Sequence, residues 1–136
     1  MNTFALTVLA AEKPFYEGES ISIVIPTTQG QYGIQAMHSN MIAAIVPGTL
    51  KVTVREGQEI IAAVSSGLVK VEDNHVLLLV DTAELPEEID INRAKRSAEE
   101  AKEAILQKKS VKDYYAAQAK MARAISRLKV KNGDIK

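Results

Sequence analysis

The sequence predicts an N-terminal antiparallel β-sandwich followed by a C-terminal antiparallel two-helix hairpin, a β plus α fold class. Six of the seven glycines and all four prolines lie at or before Pro86, at the frequent intervals that are typical of short strands and turns. From Glu87 to Asn132 the chain has neither residue type and is rich in Ala, Lys, Glu and Arg, which is typical of helices. We therefore predict two domains, residues 1–86 and residues 87–136.

The charged side chains divide the 136 residues at the same place. The chain carries 17 Lys and Arg against 17 Asp and Glu. However, residues 1–86 hold 4 basic and 9 acidic side chains, whereas residues 87–136 hold 13 basic and 8 acidic ones. The acidic β domain and the basic helical domain are therefore expected to attract different partners.

Within the first domain, apolar residues recur with the period of two that marks half-buried strands. They alternate with polar residues without exception over residues 49–55. Further strands are predicted at residues 3–8, 20–25, 60–64, 67–71 and 76–80. Glu56-Gly57 and Asp73-Asn74 separate neighbouring strands, so we expect successive hairpins around a mostly aliphatic core.

Two helices are predicted in the second domain from their end signals. Asp90 is placed to cap the first helix, because its carboxylate can accept amide hydrogens of the first turn. That helix is expected to run to about residue Lys108. Ser110, with Asp113 three residues later, forms a capping-box pattern that starts the second helix at Val111.

Alanine provides four of the nine residues in the stripes that are predicted to pack the two helices together. The predicted facing residues are Ala94, Ala98, Ala101 and Ile105 on the first helix and Tyr114, Ala117, Met121, Ile125 and Leu128 on the second. A buried alanine stabilises packing by less than the roughly 1.5–3 kcal/mol that a buried Leu or Ile provides. We therefore hypothesise that the hairpin docks weakly and can detach from the sandwich.

The sequence lacks the common signatures of catalysis and of metal or disulfide chemistry. It has no cysteine and no phosphate-loop, dinucleotide-binding, nucleophile-elbow or zinc-protease motif. His38 and His75 are expected to be a hydrogen-bonded loop residue and a turn residue. The longest apolar run, residues 76–80, is far shorter than the roughly 20 residues of a membrane span. We expect a non-catalytic protein without a metal site; the enzyme alternative is a small hydrolase or isomerase in the β domain.

The strongest candidate for a ligand site lies where the two helices meet. Arg123 and Arg127 share one helix face, and an antiparallel hairpin brings them to the start of the first helix, near Asp90 and Arg93. Arginines beside free helix amides suit a phosphate chain, and Glu84 or Asp90 can accept from a ribose hydroxyl or an adenine amino group. The alternatives are a solvated basic face and a nucleic-acid-binding module that uses the basic hairpin.

Several segments carry a family resemblance. They are Phe15-Tyr16-Glu17-Gly18, Gly30-Gln31-Tyr32-Gly33-Ile34-Gln35-Ala36-Met37-His38, residues 65–69, and Ile89-Asp90-Ile91-Asn92-Arg93-Ala94-Lys95. Through them the whole chain resembles the epsilon subunit of a bacterial F-type ATP synthase. It departs from the family pattern at Gln35-Ala36, where Leu-Pro is usual, and at Asn40, where Pro is common.

This resemblance implies a non-catalytic subunit of the rotor's central stalk. It implies that the sandwich binds the gamma subunit and the c-ring, with contact residues Gln31, Tyr32, Gly33, Ile34 and His38. It also implies that the hairpin either folds on the sandwich or extends into the catalytic alpha/beta head, meets acidic beta segments and inhibits ATP hydrolysis. The chain would then help couple proton or sodium flow to ATP synthesis. It would act at the cytoplasmic face of the cell membrane, as a peripheral subunit that neither inserts into the membrane nor binds nucleic acid.

The resemblance also implies a regulatory ATP site, although no cofactor is required. Some bacterial members bind ATP through an I/L-D-x-x-R-A motif, which Ile89, Asp90, Arg93 and Ala94 match. Glu84, Arg123 and Arg127 also fall where those members place binding residues. Glu100 stands where such members often have an arginine, so we expect an anion facing the phosphates and a weakened affinity. The rival hypothesis is a purely structural hairpin.

Overall fold

The computed structural model describes residues 2–107 and 111–133, without the side chains of residues 104–107 and 111–114. The described strands are β1 Phe4–Ala10, β2 Pro14–Ser20, β3 Ser22–Thr27, β4 Gly30–Gln35, β5 Met41–Ile45, β6 Gly48–Arg55, β7 Gln58–Val64, β8 Gly67–Glu72, β9 His75–Val80 and β10 Ala83–Glu84. A 3-10 turn at Pro86–Glu88 leads to helices α1 Ile91–Gln107 and α2 Val111–Asn132. The predicted fold class is confirmed. The predicted helix end at Lys108 and the cap at Ser110 lie outside the described residues.

Two five-stranded sheets form the sandwich. Their strand orders are β2-β1-β9-β8-β5 and β10-β7-β6-β3-β4. Neighbouring strands are antiparallel apart from β1 and β9, which run parallel from the Ala5–His75 pair to the Ala10–Val80 pair. This pair is an exception to the expected antiparallel sheets. A parallel pair needs a long connection between its two strands, and residues 11–74 provide it here.

Both predicted hairpin turns are present. Glu56-Gly57 joins β6 to β7, and Gly57 has a φ of 77°. Asp73 and Asn74 join β8 to β9 with φ angles of 49° and 62°. Positive φ at both central residues is the backbone that a two-residue β-hairpin prefers, because its twist matches that of the strands.

Aliphatic side chains from both sheets fill the core, as predicted. Leu50 and Val52 of the alternating segment are fully buried, and Val54 is partly buried. Other large buried side chains are Phe4, Leu6, Val8, Ile23, Ile25, Ile34, Ile45, Val69, Val71 and Leu78. The sandwich therefore has its own hydrophobic core.

The helical hairpin packs through alanine, but one predicted packing residue is wrong. Ala94, Ala101 and Ala117 are buried as expected. Ile125 is 39% exposed, and Ala124 beside it is fully buried. One residue along a helix turns by about 100°, so only one of these neighbours can face the first helix. The predicted Ile105 and Tyr114 lie outside the residues whose side chains are described.

A second face of α2 docks the hairpin on the sandwich. Val130 packs in a small buried cluster with Ala63 and Ile89. The Ser126 hydroxyl donates to the carbonyl of Gly48 at 2.8 Å. Over the described residues, neither helix combines the length and the apolar character that crossing a bilayer requires. The fold thus places the start of α1 and the end of α2 against one edge of the sandwich.

Candidate functional site

A cavity of about 560 Å³ lies between the sandwich and the hairpin. Its walls come from the loops that follow β1 and β9, from the interdomain linker and from both helices. The lining residues are Ala10, Ala11, Glu12, Lys13, Asp81, Thr82, Ala83, Glu84, Glu88, Asp90, Arg93, Ala94, Ser97 and Arg127. Small-molecule sites commonly have volumes of about 300–1,000 Å³, so the cavity is large enough for a nucleotide-sized ligand.

Five of the seven residues predicted from the sequence line this cavity, namely Glu84, Asp90, Arg93, Ala94 and Arg127. Arg123 lies in an adjoining crevice that Glu84 and Arg127 also line. Ile89 is only 4% exposed and packs against Ala63 and Val130, so its role is in the docking of the hairpin. The fold brings the predicted residues together, while ligand binding itself stays a prediction.

An ion pair between Arg127 and Glu84 joins the hairpin to the sandwich within the cavity. The Arg127 Nε lies 2.5 Å from the Glu84 Oε1, and these side chains are only 30% and 26% exposed. Partial burial strengthens such a pair relative to a fully exposed one, and it raises the cost of removing either partner. An anionic ligand that binds Arg127 therefore has to compete with Glu84 or share the guanidinium with it.

Asp90 caps α1 as predicted, and this changes how the site can bind phosphate. The Asp90 Oδ1 accepts the backbone N–H groups of Asn92 at 3.0 Å and Arg93 at 3.1 Å. These two amides are therefore occupied rather than free, contrary to the expectation of open helix amides. On the hairpin side of the cavity, the cationic groups are therefore the Arg93 and Arg127 side chains.

Glu100 does not face the cavity, which corrects the expectation from its position in the sequence. Its Oε2 accepts a 2.7 Å hydrogen bond from Lys120 on the neighbouring helix, and it is absent from the cavity wall. The hydrogen bond and positive charge of Lys120, with a smaller contribution from Arg96, lower the pKa of the Glu100 carboxyl. Glu100 therefore pairs the two helices and does not oppose a phosphate in the cavity.

Several cavity residues were not predicted from the sequence, notably Glu12, Lys13 and Asp81. They lie in the loops that follow β1 and β9. Because these strands are parallel, both loops leave the sheet at the same edge, and the Ala11 N–H donates to the Asp81 carbonyl at 3.2 Å. Finding these residues from the sequence would have required predicting that parallel pair.

Of the five residues of the predicted partner surface, three are exposed, His38 is partly buried and one is fully buried. Gln31, Tyr32 and Gly33 are exposed on β4, whereas Ile34 is fully buried in the sandwich core. The Ile34 side chain is therefore unavailable to a partner. The contact role of the other residues stays a prediction.

Both histidines make local hydrogen bonds. His38 is the hydrogen-bonded loop residue that the sequence predicts, whereas His75 is the first residue of strand β9 rather than a turn residue. The His38 Nδ1 lies 2.7 Å from the Ser39 carbonyl, and its Nε2 lies 2.8 Å from the Tyr32 hydroxyl. Since a carbonyl only accepts, the neutral His38 ring donates from Nδ1 and accepts from Tyr32. His75 donates from Nδ1 to the Asp73 carbonyl at 3.0 Å.

Two family models match successive parts of the chain. The model described as ATP synthase, Delta/Epsilon chain, beta-sandwich domain matches residues 3–86. The model described as ATP synthase, Delta/Epsilon chain, long alpha-helix domain matches residues 87–132. Together the two models match residues 3–132 of the chain.

Curated relatives agree with these models. The ATP synthase epsilon chain of Caldanaerobacter subterraneus subsp. tengcongensis is 43% identical over 129 residues, which cover 94% of this chain and 93% of that protein. The ATP synthase epsilon chain of Ruminiclostridium cellulolyticum is 37% identical over 132 residues, covering 97% of this chain and 98% of that protein. The chain therefore belongs to the ATP synthase delta/epsilon chain family, and its resemblance to the epsilon subunit is confirmed.

A solved structure has the same fold at low sequence identity. A chain of the Euglena gracilis mitochondrial ATP synthase, from an assembly described as OSCP/F1/c-ring in rotational state 1, gives a TM-score of 0.78 at 22% identity. The match covers 97% of this chain and 81% of that chain.

Family membership does not favour the nucleic-acid-binding alternative.

Proposed function

We propose that this chain is a non-catalytic central-stalk subunit of an F-type ATP synthase. It helps couple proton or sodium flow through the c-ring to ATP synthesis, and its hairpin inhibits ATP hydrolysis. Family membership supports the proposal. A chain with a similar fold, at a TM-score of 0.64 and 16% identity, belongs to a Tetrahymena thermophila mitochondrial ATP synthase assembly described as central stalk/c-ring. The proposed inhibition of hydrolysis rests on one observation: the hairpin docks on the sandwich through a small contact that is partly apolar and partly polar.

The outer face of the β2-β1-β9-β8-β5 sheet supports binding to another subunit. Leu9, Leu79, Leu68 and Ala44 lie directly opposite one another across four strands. On the same face, Ile42 is 71% exposed. Leu68, Leu79 and Ala44 are exposed and Leu9 is partly buried. An apolar row of this length is typical of a contact surface. We assign this face to the gamma subunit and the exposed residues of the 31–38 segment to the c-ring.

The contact between hairpin and sandwich supports a movable hairpin. Burial of a valine such as Val130 contributes about 1.5–3 kcal/mol, and a hydrogen bond such as that of Ser126 contributes about 0.5–1.5 kcal/mol. The Arg127–Glu84 ion pair and a 3.2 Å hydrogen bond from Lys131 Nζ to the Pro86 carbonyl add polar contacts. A docking energy of this size can be overcome by binding to a partner.

The charge of the hairpin supports the catalytic head as that partner. Beyond Glu100 the sequence has 10 basic side chains and 3 acidic ones. Acidic segments of the beta subunits would attract such an arm over roughly the Debye length, about 8 Å at physiological salt. The chain would act at the cytoplasmic face of the membrane as a peripheral subunit.

Removal of residues 87–136 tests the inhibitory role. We expect the reconstituted synthase with the truncated subunit to hydrolyse ATP several times faster than the full-length complex, because the inhibitory arm is gone. The measurement is steady-state ATPase activity, with ATP-driven ion pumping as the control for coupling. The sandwich has its own core and retains the proposed gamma-binding face, so pumping should persist. Unchanged hydrolysis with retained pumping would show that the hairpin is not a brake.

We further propose that the interdomain cavity binds ATP and thereby holds the hairpin folded. Its walls belong to both domains, so detachment of the hairpin would destroy the site. A ligand that binds only the folded form stabilises it by about 2.7 kcal/mol at a hundredfold excess over Kd. This energy is comparable to the docking contributions of Val130 and Ser126, so ATP at such an excess can set the position of the hairpin.

Calorimetric titration of the isolated chain with ATP tests the nucleotide site. We expect Arg93→Ala to weaken ATP binding at least about tenfold, because it removes a guanidinium from the phosphate-binding wall. Arg96→Ala is the matched control, since Arg96 is exposed on the same helix and does not line the cavity. Absence of heat at millimolar ATP, or equal affinities for the two variants, would eliminate the site.

A further inference from the structure

We propose that Lys13, from the loop between β1 and β2, is an additional phosphate ligand of the nucleotide. This inference rests on the proposed ATP site and adds the sandwich as a source of positive charge. Lys13 lines the interdomain cavity. Among the described residues, it is the cationic side chain that the sandwich provides to the cavity wall. Arg93 and Arg127 contribute charge from α1 and α2, so a phosphate chain bound by all three side chains would contact three separate elements.

The backbone of Lys13 is held in place while its side chain is loosely bound. Its carbonyl accepts the N–H of Ala10 at 3.1 Å, which fixes the loop after β1. The side chain is 66% exposed, and its Nζ lies 3.6 Å from the Glu88 Oε2. An exposed ion pair at this distance contributes little stability, so the ammonium group can exchange Glu88 for a phosphate at low cost.

The charge of the cavity explains why a further cation matters. Five carboxylates line it, from Glu12, Asp81, Glu84, Glu88 and Asp90, against three cations from Lys13, Arg93 and Arg127. Arg127 is already paired with Glu84. Within the described residues, Arg93 alone among these cations has no ion pair. The wall therefore carries more negative than positive charge, and turning Lys13 towards a polyphosphate would reduce the repulsion that the ligand meets.

Binding through Lys13 would also link the ligand directly to hairpin docking. The Lys13 ammonium belongs to the sandwich, whereas the Arg93 and Arg127 guanidiniums belong to the hairpin. Phosphate oxygens held from both sides form a bridge between the domains. Glu88 in the interdomain linker is the competing partner, because it holds Lys13 in the chain without ligand.

Titration of ATP into the full-length chain and its Lys13→Gln variant tests the assignment. We expect the Kd to rise about threefold to tenfold in the variant, since one partly exposed charge-assisted contact is lost. The salt dependence of the Kd should also become weaker, which a purely structural role would not cause. Lys70→Gln is the matched control: Lys70 lies on β8, away from the cavity, in a similar exposed ion pair with Glu72 at 3.1 Å.

A second variant tests the competition directly. The Glu88 Oε1 accepts the N–H of Leu85 at 2.9 Å, and glutamine at this position can still accept it. Glu88→Gln is therefore expected to tighten ATP binding about twofold to threefold by releasing Lys13. If Lys13→Gln and Lys70→Gln bind ATP equally well, the role of Lys13 is refuted and the nucleotide site remains. If the unmodified chain binds no ATP, both proposals fail.

Discussion

Replacement of Gly67 by alanine should destabilise the sandwich by about 2–4 kcal/mol, because it forces overpacking against backbone. A Cβ at this position would lie 1.9 Å from the Leu79 carbonyl oxygen and 2.8 Å from the Val80 Cα. These atoms belong to β9, whose pairing with β8 includes Gly67 opposite Val80. They can move only if strands in the middle of the sheet separate. Equilibrium unfolding in urea, followed by far-ultraviolet circular dichroism, measures the loss.

Gly33→Ala is the matched control for this prediction. Gly33 also lies in a strand, but the nearest atom to an added Cβ would be the Ile23 carbonyl oxygen at 4.0 Å. The change in unfolding free energy should stay within about 0.5 kcal/mol, as for most exposed substitutions. Equal losses in the two variants would mean that the close approach at Gly67 does not limit stability.

Val130→Asp should release the hairpin while leaving the sandwich folded. Val130 is 2% exposed in the cluster with Ala63 and Ile89, so an aspartate there would bury an unpaired carboxylate. We expect a cost of at least about 3 kcal/mol, which exceeds the contribution of any single docking contact. The hairpin would detach before the sandwich unfolds. Hydrogen exchange should show lost protection in α2, with protection in β6 and β9 retained.

Asn132→Asp is the control for charge, since it adds the same single negative charge at an exposed position of the same helix. It should leave the protection of α2 almost unchanged. Release of the hairpin should also abolish ATP binding in the Val130→Asp chain, because α2 provides Arg127 to the cavity wall. If α2 in the Val130→Asp chain stays as protected as in the control, this contact does not hold the hairpin.

Most of the fold follows from local patterns in the sequence. The alternation over residues 49–55 predicts β6, and Asp73-Asn74 predicts the turn between β8 and β9, because both depend on neighbouring residues. The parallel pairing of β1 with β9 depends on how distant strands assemble, so local patterns do not contain it. The exposure of Ile125 likewise depends on which helix face meets the neighbouring helix.

The candidate site likewise has some features that the sequence predicts and others that depend on contacts between distant residues. Antiparallel helices bring Arg127 near Arg93, and the spacing along the sequence predicts that proximity. Lys13 reaches the cavity only through the parallel pairing of β1 and β9, so it was not predicted. Glu100 was misplaced because its partner, Lys120, lies on the other helix and could not be assigned from a single position in the sequence.

The parallel pair of β1 and β9 also determines when the cavity can form. Its wall contains residues 10–13 and 81–84, which adjoin only after the first strand of the sandwich has paired with β9. A partly folded chain that lacks this pair therefore has no complete wall. A ligand in the cavity would consequently select chains whose sandwich is fully assembled, and its binding would report on the folding of the whole subunit.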